Sequence, residues 1–254
     1  RSVLLVMDGF EGLVDRAGLL SEILDCAPGC QILVTSRQRL NLRGEWVFTL
    51  EGLPLPQDAE DVALDESDAV RLFMERARQA QGDDERSRDD REHVVRICEL
   101  VEGMPLGIEL AAAQSSVLSP REIAEEMEGG LDVLSTSTRD VPARHRSLRA
   151  AFDSSWRLLT DEQQKAFCKL SVFRGGFDRQ AALEVAGVGL RQLSALLDRS
   201  LLQRHRVGTL TMHGLLREFA AEKLSQQVAL QQDVRGRHCR YYVDLLIQRE
   251  DDFL

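Results

Sequence analysis

The sequence predicts a chain that opens as an α/β unit and is mostly α-helical thereafter, with a winged-helix arrangement toward its carboxyl end. Three observations predict it. A short, wholly apolar run from Val3 to Met7 ends in Asp8, and a second, over 31–35, follows one helix-length later across Pro28 and Gly29. Such runs suit a parallel sheet covered on both faces, with a right-handed crossover between the strands. From Ser67 the apolar spacing becomes helical, with Ala69, Leu72, Phe73 and Ala77 on one stripe. Farther on, a series of helical patterns leads into two short strand-like pieces on either side of Val207 and Gly208.

Taken in order, the crossover helix is predicted near 16–25 and a third strand over 46–50, after which Pro54 and Pro56 close the unit. The tract 82–90 is too charged and polar for a core. A helix over 92–102 is broken by Gly103-Met104-Pro105, and another runs on through Ile108 to Val117. The next starts at Ser119-Pro120-Arg121-Glu122: Ser119 can cap, Pro120 fits the first turn, and Glu122 sits at the capping-box position. Gly129-Gly130 and the polar stretch 135–142 read as a linker. Helices follow near 147–158, 161–172, 178–186 and 190–199, then strands near 202–204 and 209–212. A helix from His213 or Gly214 to Leu224 and a last amphipathic helix over about 234–250 complete the chain. This divides it into an α/β part (1–56), a helical domain (57–134), a winged-helix domain (135–225) and a final helical segment (226–254).

Composition narrows the function classes. With 254 residues, 43% hydrophobic and 29% charged, the chain has ordinary globular composition and length enough for two or more compact units. No apolar run approaches the roughly 18 residues of a membrane span, so a soluble, cytoplasmic protein is expected. The five cysteines are scattered, the closest pair being Cys26 and Cys30, which argues against a disulfide framework or a zinc site. No H-E-x-x-H and no G-x-S-x-G occurs, which sets aside metalloprotease and serine-hydrolase chemistry. Charge is uneven: residues 57–92 carry 13 acids and 6 arginines, whereas 139–224 carry 15 basic residues and 9 acids. The basic half could serve DNA, a nucleotide's phosphates or its acidic neighbour.

Chemistry concentrates at element ends. Asp8, at the carboxyl end of an apolar strand, stands where open α/β sheets bind ligands, and a carboxylate there can hold a hydrated magnesium ion beside phosphates. Glu11 is placed to orient an attacking water. Each candidate also has an ordinary reading: Asp8 starts a turn, Arg37 is a surface charge, Pro105 is a first-turn residue and His213 caps a helix.

These segments resemble the NB-ARC ATPases of the STAND class, in their bacterial regulator branch. Leu4-Leu5-Val6-Met7-Asp8-Gly9-Phe10-Glu11 is similar to the Walker B strand, and Ile32-Leu33-Val34-Thr35-Ser36-Arg37 to the sensor strand whose arginine faces the terminal phosphate. Gly103-Met104-Pro105-Leu106-Gly107-Ile108-Glu109-Leu110-Ala111 resembles the G-x-P helix start, and Met212-His213-Gly214 the M-H-D motif. Ser171-Val172-Phe173-Arg174-Gly175-Gly176-Phe177 resembles a winged-helix segment of the same branch, and His238 to Leu246 the first helix of a tetratricopeptide-like repeat array. The order of these motifs matches the family across nearly the whole chain.

The resemblance implies part of a P-loop NTPase sheet, a helical lid and a winged-helix domain that together clamp ATP or ADP with Mg2+. It implies catalytic roles for Asp8 and Glu11, with Asp8 holding the metal through water, and nucleotide contacts from Arg37, Pro105 and His213. It further implies a slow parent ATPase, oligomerisation of the active state, and DNA contact through an output domain elsewhere in a transcriptional regulator.

Three departures stand out. No G-x-x-x-x-G-K-[ST] loop occurs and the first lysine is Lys165; with a first residue other than methionine, this is read as a fragment whose phosphate loop and repeats lie outside it, inactive by itself. Gly214 stands where the family has aspartate, which implies altered coupling to the nucleotide. Gly9 stands where many related ATPases have a second acid, which implies slow hydrolysis. Two rival readings are a DNA-binding winged-helix module, with Arg199, Arg204 and Arg206 near the wing, and an AAA+ initiator-like ATPase, which Pro105 and His213 fit poorly.

Overall fold

The computed structural model describes residues 2–56, 67–81, 88–136, 146–206 and 208–251. In chain order the elements are β1 (Val3–Met7), α1 (Gly18–Cys26), β2 (Cys30–Val34), α2 (Asp68–Gln81), α3 (Arg88–Leu100), α4 (Pro105–Ala113), α5 (Pro120–Gly129) and α6 (Leu148–Trp156). There follow α7 (Asp161–Leu170), β3 (Phe177–Asp178), α8 (Arg179–Ala186), α9 (Leu190–Asp198), β4 (Gln203–Arg206), β5 (Thr209–Thr211), α10 (Gly214–Ser225) and α11 (Val228–Asp251). The protein is mostly helical. None of these helices, over the described residues, is long and apolar enough to cross a membrane.

The opening βαβ unit forms as its pattern predicts. β1 and β2 pair in parallel, Val3 opposite Cys30 and Met7 opposite Val34. Two single 3-10 turns, Phe10–Gly12 and Val14–Arg16, lead into α1. Phe10, Ala17 and Leu20 form a small core with Met7, Val14, Ile32, Val34, Leu40 and Leu42 around it.

Two expectations fail here. The strands are not covered on both faces: Val3, Leu4, Val6 and Leu33 are all more than half exposed. The predicted third strand over 46–50 is absent, and its apolar residues Trp46, Phe48 and Leu50 lie in solvent. An apolar run becomes a strand only where a neighbouring edge offers ladder partners. β1 and β2 pair only with each other among the described strands, and 46–50 is laid along neither of their free outer edges, so its apolar pattern finds no ladder partner.

The helical region is held by one continuous core. Phe73 and Ala77 of α2, Val94 and Ile97 of α3, Ile108 of α4 and Ile123 of α5 are fully buried. Burying each such large side chain stabilises by about 1.5–3 kcal/mol. The predicted α2 stripe is correct, with Leu72 partly buried beside it. Of the polar tract 82–90, residues 82–87 lie outside the described residues and the remainder begins α3.

α4 starts at Pro105, whose fixed φ and missing N–H suit the first helical position. It follows a tight loop in which Gly103 adopts φ +69°; a Cβ there would stand 2.2 Å from the carbonyl oxygen of Leu53. That close approach lets Leu53 N–H donate to Gly103 C=O at 2.8 Å and pins the end of the opening unit to the loop. α5 carries the predicted capping box: Ser119 accepts from Glu122 N–H while Glu122 accepts from Ser119 N–H.

The predicted linker 135–142 falls largely on residues outside those described. Its near end is fixed, because Thr136 N–H donates to Arg146 C=O at 2.7 Å. From α6 onward, helices surround a small antiparallel sheet of order β3-β5-β4. Sequence pattern anticipates β4 and β5; β3, at two residues, is too short to produce alternation. Asp178 caps α8 by accepting from Ala181 N–H, and Gly187 ends it in the left-handed conformation at φ +66°.

The core from α2 to α5 continues without a break into this part through Leu148, Phe167, Leu193, Leu196 and Phe219. Arg149 adds a polar tie: Nη1 donates to both carboxylate oxygens of Glu222 at 2.7 and 2.8 Å, and Nε donates to Asp132 at 2.8 Å.

α11 begins at Val228, six residues before its predicted start, because the polar residues of its first turns hide a docking face. Val234 is buried, and Leu230, Tyr241 and Tyr242 pack on the core. His238 lies between Phe173 and Tyr242, with ring centroids 5.4 and 4.7 Å away. Farther along, Val243, Leu246 and Ile247 are exposed.

Candidate functional site

The carboxyl ends of β1 and β2 bring together residues 27 apart in sequence. Thr35, just past β2, donates its hydroxyl to Asp8 Oδ1 at 2.5 Å and accepts from Gly9 N–H at 3.0 Å. One hydroxyl therefore orients the Asp8 carboxylate and fixes the chain as it leaves β1. Gly9 sits at φ +70°, a left-handed conformation that most side chains resist, and this is a local reason for glycine in place of a second acid. Parallel register sets the juxtaposition, since Met7 opposite Val34 leaves Asp8 and Thr35 at adjoining strand ends.

Two residues beyond Thr35, Arg37 turns away from the sheet and reaches the last turn of α6. Its Nη1 donates to Ser154 Oγ at 2.6 Å, Ser155 Oγ at 2.9 Å and Ala151 C=O at 3.2 Å. Its Nε lies 3.7 Å from Glu11 Oε1. A cation at a helix carboxyl end meets the negative end of the helix dipole, so the seat is electrostatically apt. Asp8, Glu11 and Arg37 thus share one rim, with Thr35, Ser154 and Ser155 as partners. None of these three hydroxyl residues was singled out from sequence; a Thr one residue past an apolar strand is the only signal, and the two serines carry none.

The second group forms where the loop before α4 meets the start of α10. His213 is the residue before α10, and its Nδ1 accepts from Leu215 N–H at 3.3 Å. Its Nε2 is buried, 3.6 Å from Glu102 Oε2, beyond hydrogen-bonding distance. Burial pushes the imidazole below its ordinary pKa, while the Glu102 carboxylate and the Val101 carbonyl pull it the other way without prevailing. The ring is therefore neutral at pH 7.

Glu102 itself adopts φ +50°, unusual for a side chain of its size. That turn carries its carboxylate onto the amino end of α10, where Oε1 accepts from Gly214 N–H at 2.6 Å. Pro105 is exposed at the far side of the same loop. So Glu102 ties the start of α10, with His213, to the loop that precedes Pro105, and Arg37 lies in the other group. Glu102 could have been suspected only from its place beside the Gly103 turn.

No group of three or more His, Cys, Asp or Glu residues able to hold a metal occurs among the described residues. The Glu11 carboxylate faces Arg37, while at the strand ends one carboxylate, Asp8, and one hydroxyl, Thr35, stand together. That suits a magnesium ion that keeps most of its water and shares the remainder with phosphates, and it does not suit a metal held by protein ligands alone.

The chain is similar to proteins of mycobacteria. Over 256 residues it is 34% identical to proteins of Mycobacterium bovis and Mycobacterium tuberculosis that are provisionally named HTH-type transcriptional regulators. The match covers 96% of this chain and 28% of theirs. Over 237 residues it is 30% identical to uncharacterised proteins of the same species, covering 88% of this chain and 58% of theirs. The chain therefore spans little more than a quarter of the length of the first relatives. No model of a known protein family matches it. Among solved structures, a signal-transduction ATPase with numerous domains and a tetratricopeptide repeat sensor, from Pyrococcus horikoshii, aligns with 95% of this chain and 30% of its own, at 18% identity and a TM-score of 0.35.

Proposed function

We propose that this chain is the switch module of a STAND-type signalling ATPase that regulates transcription, in which ATP and ADP states hold the domains differently. The observation that carries the reading is the rim of the parallel strand pair. Two pairs stand past the strand ends, where α/β sheets take phosphate ligands: Asp8 with Thr35, and Glu11 with Arg37, whose guanidinium is turned toward α6. Asp8 and Thr35 would hold hydrated magnesium, which would offset the charge of the phosphates. Glu11 would orient the attacking water, and Arg37 would meet the terminal phosphate once drawn from α6. Pro105 would pack on the base or sugar, and His213 would face the diphosphate across the start of α10.

In this reading residues 1–56 belong to a nucleotide-binding sheet, 57–134 form a lid, 135–225 a winged-helix domain and 226–254 the start of a repeat array. The exposed faces of β1 and β2 and the apolar 46–50 segment fit a larger sheet to which a phosphate loop would contribute. The regulator names of the mycobacterial relatives fit the same reading, with a cytoplasmic location and DNA contact through an output domain.

The direct DNA-binding alternative finds less support. The helix that would enter a groove, α9, exposes Leu190, Arg191 and Ser194, a single cation on that face, whereas duplex binding draws on several phosphate-facing cations. An AAA+ initiator-like fragment remains the poorer fit, since it gives no role to His213. Nucleotide binding by the intact parent protein is the test. Magnesium-dependent ATP and ADP binding that Asp8→Ala and Arg37→Gln both weaken supports the proposal, and salt-sensitive duplex binding by this chain with no nucleotide binding by the parent overturns it.

A further inference from the structure

The βαβ unit and the rest of the molecule do not share a core. Phe10, Ala17 and Leu20 form their own small cluster, while the buried residues from α2 to α11 form the other. Among the described residues, the hydrogen bonds that cross from the βαβ unit to the carboxyl-terminal part come from Arg37 and Arg39. Arg37 reaches the last turn of α6, and Arg39 N–H donates to Asp198 C=O at 2.8 Å at the end of α9. Apolar burial is non-directional and cooperative, whereas a contact made of a few charge-assisted hydrogen bonds can open without exposing a core.

We propose that Arg37, seated on Ser154 and Ser155, is a releasable latch that holds the βαβ unit against α6, so that the unit is a lobe able to swing when the guanidinium leaves its seat. The seat is well suited to one arginine. Ser154 donates its own hydroxyl proton to Ala151 C=O at 2.7 Å, which leaves its oxygen lone pairs facing Arg37. Ser155 adds a second hydroxyl oxygen, and the helix end adds negative potential. All three bonds come from Nη1 while Nε faces Glu11 3.7 Å away, so the guanidinium spans the helix end and the acid, where the single nitrogen of a lysine would reach only one of them. Arg37 is the residue that the proposed function draws from α6, but its seat is made by the ligand-free chain and is tested without nucleotide.

The chain supplies its own reporters. Cys26, at the end of α1 in the lobe, and Cys239, on α11, are exposed, whereas Cys98 and Cys168 are buried. With Cys30→Ser to remove the remaining accessible thiol, spin labels at Cys26 and Cys239 report the separation of lobe and body in the ligand-free chain. The expected result is one main distance in the parent. A longer population should rise about threefold or more both in Arg37→Gln and in Ser154→Ala/Ser155→Ala, with Arg37→Lys between. Alanine is the better helix former, so the serine variant keeps α6 intact, and unchanged far-ultraviolet circular dichroism checks this. Distance distributions in either folded variant that match the parent overturn the latch.

Discussion

The carboxylate of Glu102 occupies the space that a side chain at position 214 would need. Its Oε1 accepts from Gly214 N–H at 2.6 Å, and a Cβ built on Gly214 would stand 2.8 Å from the same atom. A carboxylate therefore stands at this helix start although residue 214 is glycine, and it arrives from the loop before α4, 112 residues away in sequence. The glycine leaves room for that carboxylate.

Gly214→Asp should consequently destabilise the chain. It places a second carboxylate beside Glu102 and pushes the first from its helix end. Glu102→Ala alone should cost about 1 kcal/mol, the worth of a capping contact at a half-exposed helix start. The two changes should be strongly non-additive, with Glu102→Ala removing most of the cost of Gly214→Asp. Urea melts of the four proteins in the cycle measure this, and additive costs would mean that the two positions do not share a site.

Acidification should weaken the closed arrangement through His213. Burial lowers its folded pKa below the ordinary value near 6.5, so between the two values the unfolded chain binds more protons than the folded one. The stabilisation is thus fully present above about pH 6.5 and is lost as pH falls toward the folded pKa. His238, on α11, is lowered by burial as well and contributes in the same direction. His213→Asn should flatten the pH dependence of Tm between about pH 6.5 and 5 more than His238→Asn does, because His213 is the more deeply buried. Equal slopes in the parent and His213→Asn would remove His213 from this role.

Thiol reactivity should divide the cysteines by burial. Cys98 and Cys168 are buried, and loss of solvation pushes each thiol up to about 12, so neither forms thiolate at pH 8. Cys26 and Cys239 should react with a disulfide reagent within seconds to minutes, Cys30 more slowly, and the buried pair only on unfolding. Mass spectrometry after timed labelling reads the order directly; early modification of Cys168 would place α7 outside the core.

At the strand rim, Thr35→Val should cost about 1 kcal/mol, because Gly9 N–H loses its acceptor and Asp8 its donor. In the intact parent protein, Thr35→Val should slow ATP turnover by misaligning Asp8, and Asp8→Ala should abolish it with little change in Tm. Turnover in Asp8→Ala equal to that of the parent would remove Asp8 from the metal role proposed for it.

Local order is what the sequence by itself determined. The apolar runs of β1 and β2, the stripe Ala69, Phe73 and Ala77, the Ser119–Glu122 capping box, the proline start of α4 and the strand-to-helix passage at His213 follow from short-range rules, so they were legible without neighbours. The tertiary structure alone decided which ends meet. Arg37 and Ser154 are separated by 117 residues, and Glu102 and Gly214 by 112, and no periodicity relates them. The 46–50 segment gives the same lesson in reverse. Its pattern is that of a strand, yet strand pairing is a property of two edges brought together, and Trp46, Phe48 and Leu50 remain exposed because the segment lies along neither free edge of the β1-β2 pair.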